Sequence, residues 1–369
     1  MSVLRRRVAL IVSSGDESPF KNGSVTQPFM MCLAFEHAGI DFDLYAQTGG
    51  TYFNYAVKPL DELLVATAGG GGGVDYAAVL MVCHLKAFGD SPELDALAKR
   101  TKLVHVLCGH HVIFTIEDMI FGQNRCADML VNKYATETWV FEMHAGFRHV
   151  YEQWLGTSVK VYPYVWSNAI IDTHLRENAL TPARVVETPR TPLTIVIAEP
   201  SLNVTKTCFL PLVAANAYAR AHPDRVQRVI VLCKPSGPGF EAVVRYLDAL
   251  VGKLELHDRL VWSGVACQLL ARRDTVPVLL SHHFENALNF LTLESFYLGM
   301  PVVHNAAALR PAGFYYDGWR ADEVHAQLDR IWNGERNEDV SHSVLGRYAP
   351  DNAEVVEGFK ALMLKEEGL

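Results

Sequence analysis

The sequence predicts an α/β protein of two doubly wound, Rossmann-like domains facing each other across a cleft. Three observations carry that expectation. The chain has 369 residues, more than one hydrophobic core usually serves, so two domains of ordinary size follow. Short continuous apolar runs such as VALIV (Val8 to Val12) and LTIVIAE (Leu193 to Glu199) have the composition of strands buried on both faces of a parallel sheet. These runs alternate with segments of helical periodicity in both halves, the rhythm of parallel strands joined by crossover helices.

VALIV is the first strand. A polar loop rich in turn formers follows it, SSGDESPFKNGSVTQP, and its place after the first strand makes it a candidate ligand loop. PFMMCLAFEHAG reads as a helix stopped by Gly39, and FDLYA (Phe42 to Ala46) as the next strand. Gly69 to Gly73 precede the strand DYAAVLMVC. A phosphate loop would follow a strand and continue into Gly-Lys-Ser/Thr, so this run reads as a flexible connector. The helix PELDALAKR and the strand KLVHVLC keep the βα rhythm. CGHHVIFTIEDMIFG (Cys108 to Gly122) then places His110, His111, Glu117 and Asp118 just beyond a strand. Adjacent histidines lack the helical spacing of a zinc pair, and no metal ligands are expected here. A strand (ETWVFE), a helix (HAGFRHVYEQWLG) and a short strand within VKVYPYVW complete the half.

NALTPARVVETPRTPL is proline-rich and lacks an apolar period, as a linker would. The expected domains are 1–170 and 191–348, joined by a linker over 171–190. A C-terminal helix over 349–369 would pack back on the first domain. In the second half LTIVIAE is a strand, PSLNVTKT a loop, CFLPLVAANAYARA a helix and RVIVLC a strand. KPSGPGFEAVVRYLDALVGK follows as loop and helix, LVW as a short strand and ACQLLARRD as a short helix. Next comes PVLLSHHFENALNFLTLESFYLGMPVVHN (Pro277 to Asn305). It reads as a strand to Ser281, a polar turn, a helix from about Ala287 to Leu298, then Gly299 and a second apolar strand. The turn carries His282, His283, Glu285 and Asn286 at a strand end that meets a helix N-terminus, where unpaired N–H groups favour an anion.

Composition narrows the function classes. Half the residues are hydrophobic and the net charge is -8, which argues against a broad basic surface for nucleic acid. The 7 cysteines include no C-x-x-C pair, and several lie in apolar runs, so buried free thiols in a reducing compartment are expected. The basic-then-apolar start MSVLRRRVALIV has too short an apolar core for a signal peptide, and no segment approaches the roughly 20 apolar residues of a membrane span. A soluble, cytoplasmic protein is the expectation.

The segment ENALNFLTLESFYLGMPVVHN resembles the Glu-x7-Glu segment of retaining GT-B glycosyltransferases, in which the second acid is followed by Gly-x-Pro-Val-Val. Glu294 holds the second acidic position, with Gly299-Met300-Pro301-Val302-Val303 behind it. Exact seven-residue spacing puts Asn286 at the first position, with Glu285 one residue early. Either Glu285 acts from an altered turn or Asn286 replaces the carboxylate. A closer resemblance, to a GT-B-like domain-of-unknown-function family, extends over nearly the whole chain. It rests on NGSVTQ (Asn22 to Gln27), CGHHVIFTIEDMIFG, YPYVW (Tyr162 to Trp166), EPSLNVTKT (Glu199 to Thr207) and HHFENALNFLTLE.

The resemblance implies a glycosyltransferase that moves a sugar from a UDP- or GDP-sugar to a hydroxyl acceptor. The N-terminal domain would take the acceptor and the C-terminal domain the nucleotide sugar. It also implies no tightly bound cofactor and no metal, since no D-x-D pair follows a strand. Lys206 and Lys234, each after a strand, would hold the diphosphate as point charges. Glu294 lies in an otherwise apolar helix and would be costly to bury without a partner; ribose hydroxyls would supply one. Glu285, Asn286, Asn289, His282 and His283 would contact donor sugar or phosphates. His111 and Asp16 are the candidate bases, a group that inversion needs and retention, the expected outcome, does not. Asn22, His110, Glu117, Tyr164, Tyr315 and Tyr316 would line the acceptor side or the cleft. Two other readings are a transferase acting on hydroxymethylated DNA bases and a catalytically inactive scaffold that binds a glycan or partner.

Overall fold

The computed structural model describes residues 7–12, 23–68, 76–82, 92–122, 134–182, 189–199, 201, 203–232, 235, 238–258 and 260–363. The chain forms two compact units, Met1–Ser167 with Tyr348–Leu369, and Asn168–Arg347.

In the first unit the described strands are β1 (Arg7–Ile11), β2 (Asp41–Ala46), β3 (Gly50–Tyr52), β4 (Tyr55–Pro59), β5 (Tyr76–Val82), β6 (Lys102–Val106), β7 (Glu137–Phe141) and β8 (Ser158–Tyr162). They form one sheet in the order β3-β4-β2-β1-β5-β6-β7-β8. All pairs are parallel except the hairpin β3–β4. Val8, Ala9 and Leu10 are fully buried, as expected of a central strand covered on both faces. Strand order reverses about β1, which puts a ligand crevice at its C-terminal end. The helix Ala353–Met363 belongs to this unit, with the Phe359 ring 5.2 Å from Phe35. Gly358 lies so close to Pro163 that a Cβ there would meet the ring at 3.2 Å.

The second unit holds β9 (Leu193–Ile197), β10 (Val226–Val231), β11 (Leu254–Leu256), β12 (Val276–Leu280), β13 (Val302–His304) and β14 (Phe314–Tyr315), in the order β11-β10-β9-β12-β13-β14 and all parallel. Ile195, Val196, Val278, Leu279 and Val302 are fully buried. β9 pairs with β10 on one side and β12 on the other, in register Val278 to Ile195. Winding therefore reverses at β9, and the crevice beyond the C-terminal ends of β9 and β12 is this sheet's switch point.

Several elements differ from the sequence expectation. The helix after β1 begins at Gly23 rather than at Pro28, so part of the expected loop is helical. Nearly every side chain from Val25 to Phe35 is buried, leaving no stripe to mark its start, and Pro28 was read as a first-turn residue. LVW is not a strand: Val261 is extended and a helix runs Trp262–Leu270. The strand is the edge element β11, whose LEL sequence has no apolar run to reveal it. A helix, Ala169–Glu177, takes the first third of the expected linker, and the first unit gives way to the second after Ser167. The hairpin β3–β4 was not anticipated. The five-glycine run lies outside the described residues, and no described helix is long and apolar enough to cross a membrane.

Buried acids brace the first sheet. Glu137 opens β7, accepts a 2.6 Å hydrogen bond from Trp139 Nε1, and pairs with Lys102 at 2.8 Å and Lys160 at 3.2 Å. Burial would push its carboxyl up, but the hydrogen bonds from Lys102 and Trp139 and the two lysine charges outweigh it and hold it below the usual range. A depressed folded pKa stabilises above the unfolded value and is lost as pH falls through the folded one. Glu137→Gln should therefore cost on the order of 2 kcal/mol at neutral pH in urea unfolding, with the gap to wild type closing as pH falls below the model-compound value of 4.5.

Candidate functional site

β9 and β12 deliver their C-terminal residues side by side at the switch point. Glu199 is only 1% exposed. Ser281 Oγ donates to Glu199 Oε1 at 2.6 Å, and His283 Nε2 lies 3.2 Å from Oε2. Burial alone would raise this carboxyl; the charge of His283, its hydrogen bond, that of Ser281 and the charge of Lys206 together hold it below the usual range. Lys206 is half-buried and forms an isolated antiparallel bridge with His283, while Phe284 N donates to Thr205 O at 3.0 Å. Asn305, just past β13, clamps the same backbone: His283 N donates to its Oδ1 at 2.9 Å and its Nδ2 donates to His283 O at 2.7 Å.

The helix Phe290–Tyr297 starts from this cluster. Asn289 is its N-cap, with Oδ1 accepting from Leu291 N at 3.3 Å and Nδ2 lying 3.1 Å from His283 Nε2. One nitrogen cannot both donate to Glu199 and accept from Asn289. The buried, ionised carboxylate has the stronger claim. Turning the Asn289 amide over would set Nδ2 against the Leu291 N–H, so the cap fixes its orientation. Asn289 Nδ2 is then a donor held at the helix start. In the same first turn Thr292 Oγ1 is buried with no hydrogen-bond partner among the described residues. Glu294 follows, half-buried, and no described residue donates to or pairs with its carboxylate. Burial pushes that carboxyl up to about 7.

The two candidates for the first acid separate clearly. Glu285 is exposed and has φ 50°, a left-handed conformation uncommon for a side-chain-bearing residue. Asn286 is 7% exposed, and its Nδ2 donates to Leu288 O at 3.3 Å. This irregular turn also explains why the helix begins at Phe290 rather than near Ala287.

His282 is 1% exposed; burial lowers its imidazole to about 4. Its Nδ1 lies 2.9 Å from Tyr316 Oη, and that hydroxyl donates to Ser281 O at 3.1 Å. The ring sits 4.3 Å from the Trp319 indole. Tyr315 is half-buried in β14, its hydroxyl donating to Asp317 Oδ1 at 3.0 Å with the Arg310 guanidinium over its ring.

In the first unit His110 caps the helix His111–Phe121, with Nδ1 accepting from Ile113 N at 3.4 Å. Its ring lies 4.7 Å from His144, and burial lowers it to about 4. His111 is 3% exposed at the first helical position, and Glu117 is half-buried further along. Tyr164 is 2% exposed, with its ring packed against Phe141 and Tyr348, a core position. Asp16, Asn22 and Lys234 lie outside the described residues. Lys206, His282, His283, Asn289 and Tyr316 thus converge on one strand-end cluster. Glu199, Ser281, Asn305 and Trp319 belong with them and were not singled out from sequence. Only Glu199 left a signal, a charge closing the apolar run LTIVIAE. Among the described residues no group of three or more His, Cys, Asp or Glu is arranged to hold a metal ion.

No curated protein matches the sequence. Among solved structures the chain is similar to an apo structure of OtsA at 13% identity, covering 99% of this chain and 100% of that one with a TM-score of 0.55. It is similar to a UDP-forming α,α-trehalose-phosphate synthase from Burkholderia xenovorans at 10% identity, with 98% and 99% covered and a TM-score of 0.58. A third is the pneumococcal O-GlcNAc transferase GtfA in complex with UDP and GlcNAc, at 8% identity, 98% and 99% covered and a TM-score of 0.52. These likenesses show the fold alone, two Rossmann-like domains of the GT-B fold. The sequence matches the family described as protein of unknown function (DUF2827) over residues 92–363, and the chain belongs to that family.

Proposed function

We propose that the protein is a glycosyltransferase that transfers a sugar from a nucleoside-diphosphate sugar to a hydroxyl acceptor. The observation that carries this reading is Glu294, a half-buried carboxyl with no partner among the described residues, in the helix that starts at the switch point. A carboxylate so placed is completed by a pair of ribose hydroxyls. The helix N-terminus, with the Asn289 amide and Thr292 hydroxyl in its first turn, offers donors to a diphosphate. Lys206 beside it would neutralise charge on the departing diphosphate, and His283, braced by Glu199, would hold a phosphate oxygen. On the acceptor side His111 and His110 remain the candidate contacts. Lys234, Asp16 and Asn22 keep the roles the sequence resemblance implies, Lys234 on the diphosphate and the other two toward the acceptor. The UDP-forming and UDP-bound proteins among the similar folds support a uridine diphosphate donor.

A second reading, a nucleotide-sugar binder without turnover, draws on one observation. The acid nearest the first position of the Glu-x7-Glu segment is the exposed Glu285, while the buried side chain there is the amide of Asn286. Asn286→Glu separates the two. Transfer or donor hydrolysis that appears only in this variant, from a wild type that binds donor without turning it over, favours the binder.

Thermal-shift screening against UDP- and GDP-sugars should raise the melting temperature of wild type, by mass action on the native state. Glu294→Ala should lose that shift while keeping its own fold; a wild type that answers to no nucleotide sugar would sink the transferase reading. The raised Glu294 pKa gives a signed pH effect. Its proton is held more tightly in the folded state, so its stabilisation is full below the model-compound value of 4.5 and is lost as pH rises through about 7. Wild type should lose more stability between those limits than Glu294→Gln. Ribose hydroxyls favour the ionised form, so donor binding near the upper limit should release a proton. Calorimetry in buffers of differing ionisation enthalpy should detect that proton in wild type and miss it in Glu294→Gln.

A further inference from the structure

We propose that His282 and Trp319 form a pyranose subsite, in which the indole stacks on a sugar's C–H face and His282 Nε2 accepts a hydrogen bond from one of its hydroxyls. The assignment rests on the transferase reading for the donor it names, but its geometry stands on this pair of side chains.

The proton positions follow from the hydrogen bonds. The Ser281 carbonyl can only accept, so the Tyr316 hydroxyl spends its proton there at 3.1 Å. Tyr316 Oη must then accept from His282, 2.9 Å away, which places the imidazole proton on Nδ1. Burial keeps the ring neutral, with its pKa lowered to about 4. Nε2 is therefore a bare lone pair. It is buried and has no hydrogen-bond partner among the described residues, although buried polar atoms are almost always satisfied. The opposite tautomer would strand the Ser281 carbonyl and still leave Nε2 alone.

Beside this acceptor stands an aromatic ring that the fold does not bury. Trp319 is 52% exposed, in the turn after β14. Its ring lies 4.3 Å from His282 at an interplanar angle of 56° and 6.1 Å from Phe284. An indole with one side on protein and the other in solvent is a stacking surface. In this proposal a ligand that reaches Nε2 displaces the neighbouring indole, which is half in solvent. A nucleobase would also stack, but its edge presents donors and acceptors in pairs, whereas a single bare acceptor matches a single hydroxyl. The placement agrees. Glu199 and Lys206 occupy the β9 side of the cluster, while Tyr316 and Trp319 follow β14, on the far side of β12 from β9. A diphosphate at the switch point would extend its sugar toward the indole.

The test compares UDP-glucose, UDP-galactose, UDP-N-acetylglucosamine and GDP-mannose with UDP, GDP and the free monosaccharides. Tryptophan fluorescence, histidine-nitrogen NMR and calorimetry are read on wild type, Trp319→Ala, Trp319→Phe and His282→Gln. A preferred nucleotide sugar should shift the Nε2 resonance as that nitrogen gains a hydrogen bond, and should change indole emission in wild type but not in Trp319→Phe. Trp319→Ala should weaken that nucleotide sugar about tenfold while UDP or GDP binding changes less than about twofold. Because Trp319 is half in solvent, an unchanged melting temperature will show that the variant folds. Equal losses for nucleotide and nucleotide sugar would mean base stacking, and overturn the proposal. If wild type binds no nucleotide, the transferase reading falls and the free sugars decide this subsite. A monosaccharide that moves Nε2 supports it; no response to any sugar overturns it.

Discussion

Much of the second unit turns on one buried carboxylate. Glu199 leaves the end of β9 with almost no solvent contact, and an isolated anion there would cost several kcal/mol. It is tolerated because Ser281 and His283, both just past β12, reach it directly and Lys206 lies within its field. The compensation ties together two neighbouring strands and the loop that carries Lys206. Asn305 extends the tie to β13 through the His283 backbone. The strand ends are thereby held in one geometry before any ligand arrives, as a site that selects by orientation requires.

That rigidity contrasts with the helix that follows. Its first turn and a half carries Thr292 and Glu294 without partners among the described residues, and Asn289 has a donor that the His283 imidazole cannot serve while it is bonded to Glu199. The Glu199 carboxylate at the strand ends is satisfied, whereas His282 Nε2 and the Thr292 hydroxyl are not, among the described residues. Buried groups of this kind are where the proposed donor would complete the structure. The same logic distinguishes His282 from His304, which lies one strand over. His304 is equally buried and also lowered to about 4, but its Nε2 donates to Ala312 O at 2.8 Å and its Nδ1 accepts from Ala306 N at 3.2 Å. It is a satisfied core histidine, and nothing in its surroundings asks for a ligand.

The layered architecture was legible because fully buried parallel strands leave continuous apolar runs. VALIV, LTIVIAE and PVLLS announce the centres of both sheets. Edge elements were not, for the same reason inverted: β11 and the β3–β4 hairpin are half in solvent and carry no such run. Helix starts were misplaced where burial on all sides erased periodicity, as at Gly23, and where a side-chain cap rather than composition sets the first turn, as at Asn289. In the candidate site the sequence proposed Lys206, His282 and His283 by type and by place after a strand, and Asn289 and Glu294 by their place in the helix that follows and by the family resemblance. Trp319 and Asn305 were missed because their part depends on neighbours distant in the chain.

The sequence by itself determined two parallel αβ sheets, the strand-end location of the polar cluster and the identity of its acidic helix residue. All three follow from local hydrophobic pattern and turn chemistry. Only the tertiary structure decided which polar groups are satisfied. Glu199 and Glu294 look alike on paper, each a carboxyl next to apolar residues. Folding brings a serine, a histidine and a lysine to the first and none of them to the second. One is consequently held ionised as a brace, while the other has its carboxyl raised toward neutrality. The difference lies in which side chains the winding of β9 against β12 places within hydrogen-bond reach, and that is a property of three-dimensional neighbours alone.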